Sequence, residues 1–120
     1  VACDSAVTQA SPTIYDQGIY KTARMGKTIK YAFAVSPGLY TVQLKFAELW
    51  LKEAGKRPMN IEVNGRRVRD AWDPAQAAGE LAMAADVRVE DVTPDKDGKI
   101  RIAISAAGVN DAMVQGIAIE

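Results

Sequence analysis

Along most of this chain, hydrophobic and polar positions alternate in short runs separated by turn residues. Ile29, Tyr31, Phe33 and Val35 alternate with Lys30, Ala32 and Ala34, the period of a strand with one buried face. "SPG" at Ser36–Gly38 is a turn, and Tyr40, Val42, Leu44 and Phe46 then alternate with Thr41, Gln43 and Lys45. Two such runs around a short turn predict an antiparallel hairpin. Met59, Ile61 and Val63 alternate with Asn60 and Glu62. Asn64-Gly65 is a tight-turn signal because both residues tolerate positive φ, so Arg66 to Arg69 is predicted to return as a short strand. "WDPAQAAGE" interrupts the pattern: Asp73 can cap a helix, Pro74 suits its first position and Gly79 can end it. Val87 and Val89 mark another strand, "TPDKDGK" a polar turn, and Ile100, Ile102 and Ile104 a further alternating strand. Met113 to Ile119 is predicted as a buried closing strand. Residues 4 to 18 lack periodicity and read as loop with a short strand. Many short strands and almost no helix predict an all-β jelly-roll sandwich with one short helical insertion.

Composition narrows the function. A chain of 120 residues fits one domain, residues 1–120, with one sizeable core. The 15 basic and 15 acidic residues cancel, leaving no field to draw in nucleic acid or an anionic membrane, and neither is expected as a partner. No apolar run is long enough to span a bilayer, and the first residues lack the charged and apolar regions of a signal peptide. Cys3 is the single cysteine, so no disulfide forms within the chain. The absence of histidine removes triads, most zinc sites and the commonest general base, and leaves Cys3 without an activating partner. No metal or cofactor is expected.

The segment "LKFAELWL", Leu44 to Leu51, carries the most specific chemistry. Glu48 and Trp50 follow on the face where Leu44 and Phe46 point. A core-facing carboxylate needs a partner, and Arg24 in "TARMG" is the expected one. Trp50 is expected at the rim. There it either caps the core or offers a ring to the C–H face of a sugar.

"IYKTARMG", "GLYTVQLKFAELWL", "GKRPMNIEVNG" and "NDAMVQGIAIE" together resemble the malectin family, also met as malectin-like carbohydrate-binding modules. The resemblance runs from about Ile19 to the C-terminus. It implies a sandwich of the galactose-binding-domain type and a non-catalytic domain that binds glycans through loops at one end. It also implies a secreted or periplasmic setting, often as an accessory domain of a glycoside hydrolase. Malectin binds a diglucosyl unit with aromatic residues and an aspartate. One aromatic follows the arginine of "Y-x-T-x-R"; here that position is Met25. An aromatic pair ends the "F-A-E" strand; here it is Trp50 and Leu51. The aspartate precedes the last strand; here it is Asp111. Met25 and Leu51 depart from the pattern, so the resemblance implies general carbohydrate binding and not that particular specificity.

The expected site is therefore Trp50, Asp111 and Asn110, with Met25 and Leu51 at the matching positions and Tyr20 as a further platform. Its expected partner is an oligosaccharide or polysaccharide, with neighbouring domains of a parent enzyme alongside. The alternative is a structural accessory domain that packs against those neighbours and binds no sugar. An exposed Trp50 favours the first and a buried one the second. "DKDG" at Asp95–Gly98 resembles a fragment of a calcium loop but lacks the remaining ligands, and reads as a solvated turn. "GKRP" and "NGRRVR" are balanced by neighbouring acids. Trp72 is expected to pin the helical insertion.

Overall fold

The computed structural model describes residues 23–120; Cys3 and Tyr20, and the loop expected over residues 4 to 18, lie outside them. Among the described residues the chain forms β1 (Arg24–Gly26), β2 (Thr28–Ala34), β3 (Tyr40–Ala47), β4 (Met59–Val63) and β5 (Arg66–Trp72). The helix α1 (Pro74–Ala78) follows, then β6 (Ala84–Val92), β7 (Lys99–Ala106), β8 (Ala112–Val114) and β9 (Gly116–Ile119). The strands assemble as a four-stranded sheet β2-β7-β4-β5, a three-stranded sheet β6-β3-β9, and a two-stranded pair β1-β8. The paired strands are antiparallel.

The core is where the alternating faces meet. Ile29, Ile61, Ile102 and Ile104 from the larger sheet and Val42, Leu44, Phe46 and Val87 from the smaller one share one buried cluster. This is the all-β sandwich that the period of two requires, since each sheet has one apolar face to cover. Trp72 packs edge-on against Phe46, with ring centroids 4.9 Å apart, and so fastens the insertion to the core as expected. Asp73 caps α1 by accepting the Gln76 N–H at 3.0 Å, Pro74 occupies the first turn, and Gly79 ends the helix at φ 91°. Asn64 and Gly65, at φ 50° and 79°, form the tight turn of the β4–β5 hairpin. β5 runs on to Trp72, beyond the expected Arg69. It is an edge strand rich in charge (Arg66, Arg67, Arg69, Asp70), which discourages pairing with another chain.

Two expectations change. The strands flanking "SPG" do not form a hairpin: β2 pairs with β7, and β3 with β6 and β9. Ser36–Leu39 instead arches from one sheet to the other. Alternation reports which face is buried, and both arrangements bury the same faces. The ladder decides between them: the Val35 N–H donates to the Gly98 carbonyl at 3.0 Å, holding β2 against β7 up to the arch. The closing run Met113 to Ile119 is two strands, broken at Gln115. The Gln115 N–H donates to the Lys45 carbonyl at 2.9 Å, and its side-chain amide donates to the Ala47 carbonyl. β8 then pairs with β1 while β9, only half-buried, pairs with β3.

On the other face of β3, Lys45 lies opposite Asp86 of β6, Nζ to Oδ2 4.0 Å, with side chains only 8% and 6% exposed. Burial outweighs the attraction of Asp86 and Glu120 and lowers the Lys45 pKa below its ordinary value of 10.5. Between that lowered pKa and 10.5 the unfolded chain binds more protons than the folded one, so stability rises with pH through this window. Urea denaturation at successive alkaline pH values should show the rise in the wild type and a smaller one in Lys45→Met. Equal slopes for the two proteins would mean that Lys45 titrates as it does in the unfolded chain.

Candidate functional site

β3 ends at Ala47, and the chain turns at Glu48 instead of continuing. Glu48 is 2% exposed and Arg57 is 4% exposed. Their ion pair is short, Arg57 Nε to Glu48 Oε1 2.7 Å. Glu48 Oε2 accepts the backbone N–H groups of Trp50 and Leu51 at 3.2 and 3.1 Å. The carboxylate therefore closes the corner as a turn cap as well as forming a pair. Arg57 Nη1 donates to the Asp111 carbonyl at 2.7 Å. The Arg57 backbone N–H donates to Asp73 Oδ2 at 2.8 Å, the same carboxylate that caps α1. One buried pair thus ties together the end of β3, the loop from Leu51 to Pro58, the start of α1 and the loop before β8.

The loops also touch directly. Gly55 adopts φ +84°, a backbone conformation that favours glycine, and faces the end of the Gln76 side chain on α1. A Cβ on Gly108 would lie 3.0 Å from Pro58 Cγ, and the Ala107 N–H donates to the Pro58 carbonyl at 2.9 Å.

The expected Arg24–Glu48 pair does not form. Arg24 is exposed on β1, its guanidinium 5.2 Å from the centre of the Tyr31 ring. Arg57 takes its place because it is folded in beside Glu48 and anchors its own backbone on Asp73. "GKRP" was read as solvated basic loop. The available clue was that Arg57 stands nine residues after Glu48, directly before Pro58 and the buried β4.

Trp50 is half-buried against the core, and its indole N–H is buried without a hydrogen-bond partner among the described residues. It is therefore neither the open platform nor the fully covered residue that the two sequence readings anticipated. Leu51 beside it is half-buried. The Asp111 side chain is 47% exposed and sits 3.6 Å from Lys27 Nζ, which also donates to the Val109 carbonyl at 3.2 Å. The Asn110 amide donates to the Lys56 carbonyl, and its oxygen has no hydrogen bond among the described residues. Val109 stands out at 89% exposure on the same loop. Met25, half-buried, pairs with Met113 across β1–β8, with Gly26 opposite Ala112, which sets it on the Asp111 side. Trp50, Leu51, Asn110 and Asp111 thus gather at one pole, joined through Arg57. The pole offers a carboxylate, an amide oxygen, an ammonium and an apolar rim.

"DKDG" is accounted for locally. Asp95 Oδ1 accepts the N–H groups of Asp97 and Lys99 at 2.9 and 3.0 Å, and Oδ2 accepts Arg101 Nε at 2.8 Å. These bonds, led by that from Lys99, hold the Asp95 carboxyl below its usual range. Among the described residues, no three His, Cys, Asp or Glu side chains come together as metal ligands.

The malectin domain family model matches residues 3–119. No curated protein sequence matches the chain. The extracellular domain of ANXUR1 from Arabidopsis thaliana is similar in structure, with a TM-score of 0.82 and 18% identity over 99% of this chain and 37% of that one. A structure of the plant peptide RALF23 in complex with FER and LLG2 gives a TM-score of 0.81 and 16% identity over 98% of this chain and 37% of that one. Bacteroides uniformis β-glucuronidase 2, covalently bound to cyclophellitol-6-carboxylate aziridine, gives a TM-score of 0.77 and 20% identity over 99% of this chain and 13% of that one. At these identities the likenesses establish the fold, and the chain spans well under half the length of each of these structures.

Glu48→Gln or Arg57→Met alone should cost about 3–5 kcal/mol in chemical denaturation, because each strands a buried charge or its hydrogen bonds. Arg24→Ala should leave stability near that of the wild type. A large loss in Arg24→Ala, or none in Glu48→Gln, would show that Arg57 is not the partner that matters.

Proposed function

Because the chain belongs to the malectin family, we propose that it is a non-catalytic carbohydrate-binding module, part of a larger multidomain protein, which holds a glycan at the loop pole. The observation that carries this reading is the Arg57 bridge. It fixes the Trp50–Leu51 corner and the Asn110–Asp111 loop relative to one another, and a saccharide needs apolar and hydroxyl-binding groups held in one geometry. Asp111 and Lys27 bond hydroxyls, the Asn110 oxygen accepts from them, and Trp50 with Leu51 supplies the apolar edge. The two carboxylates at the pole are poorly suited to an acid–base pair, since Glu48 is buried against Arg57 and Asp111 faces Lys27. A secreted or periplasmic setting accords with this reading, since one structural relative is an extracellular domain.

A second reading, an accessory domain without sugar binding, draws on Trp50 itself. Its ring packs on the core and its N–H is turned inward, and Met25 and Leu51 stand where malectin has aromatics.

The test is a glycan array followed by NMR titration of the bound glycan. Trp50→Phe should keep the fold, since it removes an unpaired buried N–H, and should weaken binding. Asp111→Ala should weaken it about tenfold, the worth of one or two hydrogen bonds. A folded domain that binds nothing on the array leaves the accessory reading standing. Affinity should also stay flat between about pH 6 and 8, because no side chain with an ordinary pKa in that range is present. A steep change measured by calorimetry would place an unexpected titrating group at the site.

A further inference from the structure

A groove of about 330 Å³ opens on the side of the sandwich, lined by Arg24, Tyr31, Phe33, Val114, Gln115 and Ile117 among others. It lies where β2, at one end of the larger sheet, faces β9, at one end of the smaller sheet, with β1 beside them. Tyr31 and Phe33 point to the same side of β2, their rings 10° from parallel with centroids 5.9 Å apart. The Arg24 guanidinium lies over Tyr31.

The groove holds unspent polar groups on apolar walls. Arg24 has no anionic partner and the Tyr31 hydroxyl no hydrogen bond among the described residues. Gln115 Nε2 is committed to the Ala47 carbonyl, but Gln115 Oε1 is buried and unpaired. That oxygen has no accessible surface, so the polar contacts the groove offers come from Arg24 and Tyr31. Phe33, Val114 and Ile117 supply surface for an apolar face. A hydrocarbon would leave Arg24 and the Tyr31 hydroxyl unmet. A simple anion would engage Arg24 and the Tyr31 hydroxyl but leave the apolar walls of Phe33, Val114 and Ile117 uncovered. A polyhydroxylated ring with a C–H face offers oxygens to Arg24 and to the Tyr31 hydroxyl and an apolar surface to Phe33. The volume is at the lower end for ligand pockets, roughly 300–1,000 Å³, which suits a small saccharide.

We propose that this side groove is a second saccharide site, separate from the loop pole and independent of whether the pole binds. The test is NMR titration of the chain with glucose, galactose and cellobiose, each in turn, and with sulfate. At least one sugar should shift the amides of Phe33, Val114 and Ile117. Arg24→Ala, a change at an exposed residue that leaves the fold intact, should weaken that response tenfold or more, and Tyr31→Phe should weaken it less. Asp111→Ala should leave it unchanged. Groove shifts without movement at Trp50, Leu51 or Asp111 would support the groove while telling against the pole. The proposal is overturned if none of the three sugars moves the groove amides, or if only sulfate does. It is equally overturned if Arg24→Ala binds as well as wild type, or if Asp111→Ala abolishes the groove response.

Discussion

The buried pair between Glu48 and Arg57 is the constraint on which the loop pole depends. A carboxylate and a guanidinium withdrawn from water are stable only if nearly every remaining donor and acceptor is also met. Here those secondary bonds go to three different segments. Glu48 takes the N–H groups of Trp50 and Leu51, Arg57 gives to the Asp111 carbonyl, and the Arg57 backbone reaches the cap of α1. Satisfying the pair therefore assembles the pole. Loops without regular secondary structure gain a fixed geometry from one desolvated interaction, in place of the ladder that fixes a strand.

The same logic releases Arg24. With Glu48 satisfied by Arg57, the guanidinium on β1 is free to lie over Tyr31. A cation over an aromatic face is worth about 0.5–1 kcal/mol at an exposed site, far less than a buried pair. Arg24 is thus held loosely at the lip of the side groove. Among the described residues its donors have no anionic partner, which is what a ligand contact requires and a structural contact does not.

Much of the fold was legible because it rests on local rules. The alternation of Met59–Val63 and Ile100–Ile104, the Asn64-Gly65 turn, and the Asp73-Pro74…Gly79 helix all rest on residues near one another in sequence. Strand pairing was not legible across the Ser36–Leu39 arch, because a short turn between two alternating runs can join strands within a sheet or across sheets. The break at Gln115 was hidden inside an apolar run; it depends on bonds to Lys45 and Ala47, far away in sequence. At the pole, the residues to inspect were legible but their connections were not. Glu48 demanded a cation, yet several arginines could have met the demand, and only the folded path of the Leu51–Pro58 loop selects Arg57.

The pole separates the duties of backbone and side chain. Asp111 serves the scaffold through its carbonyl, while its carboxylate remains half-exposed beside Lys27. Leu51 serves it through its N–H, and Asn110 through one side of its amide. Side chains at these positions can therefore change without unmaking the corner, because the bonds that hold it are made by Glu48, Arg57 and main-chain groups. Trp50 is the exception, since its ring also packs on the core. It is the one candidate residue whose replacement tests packing and recognition together, and the unpaired indole N–H makes phenylalanine the substitution that separates them.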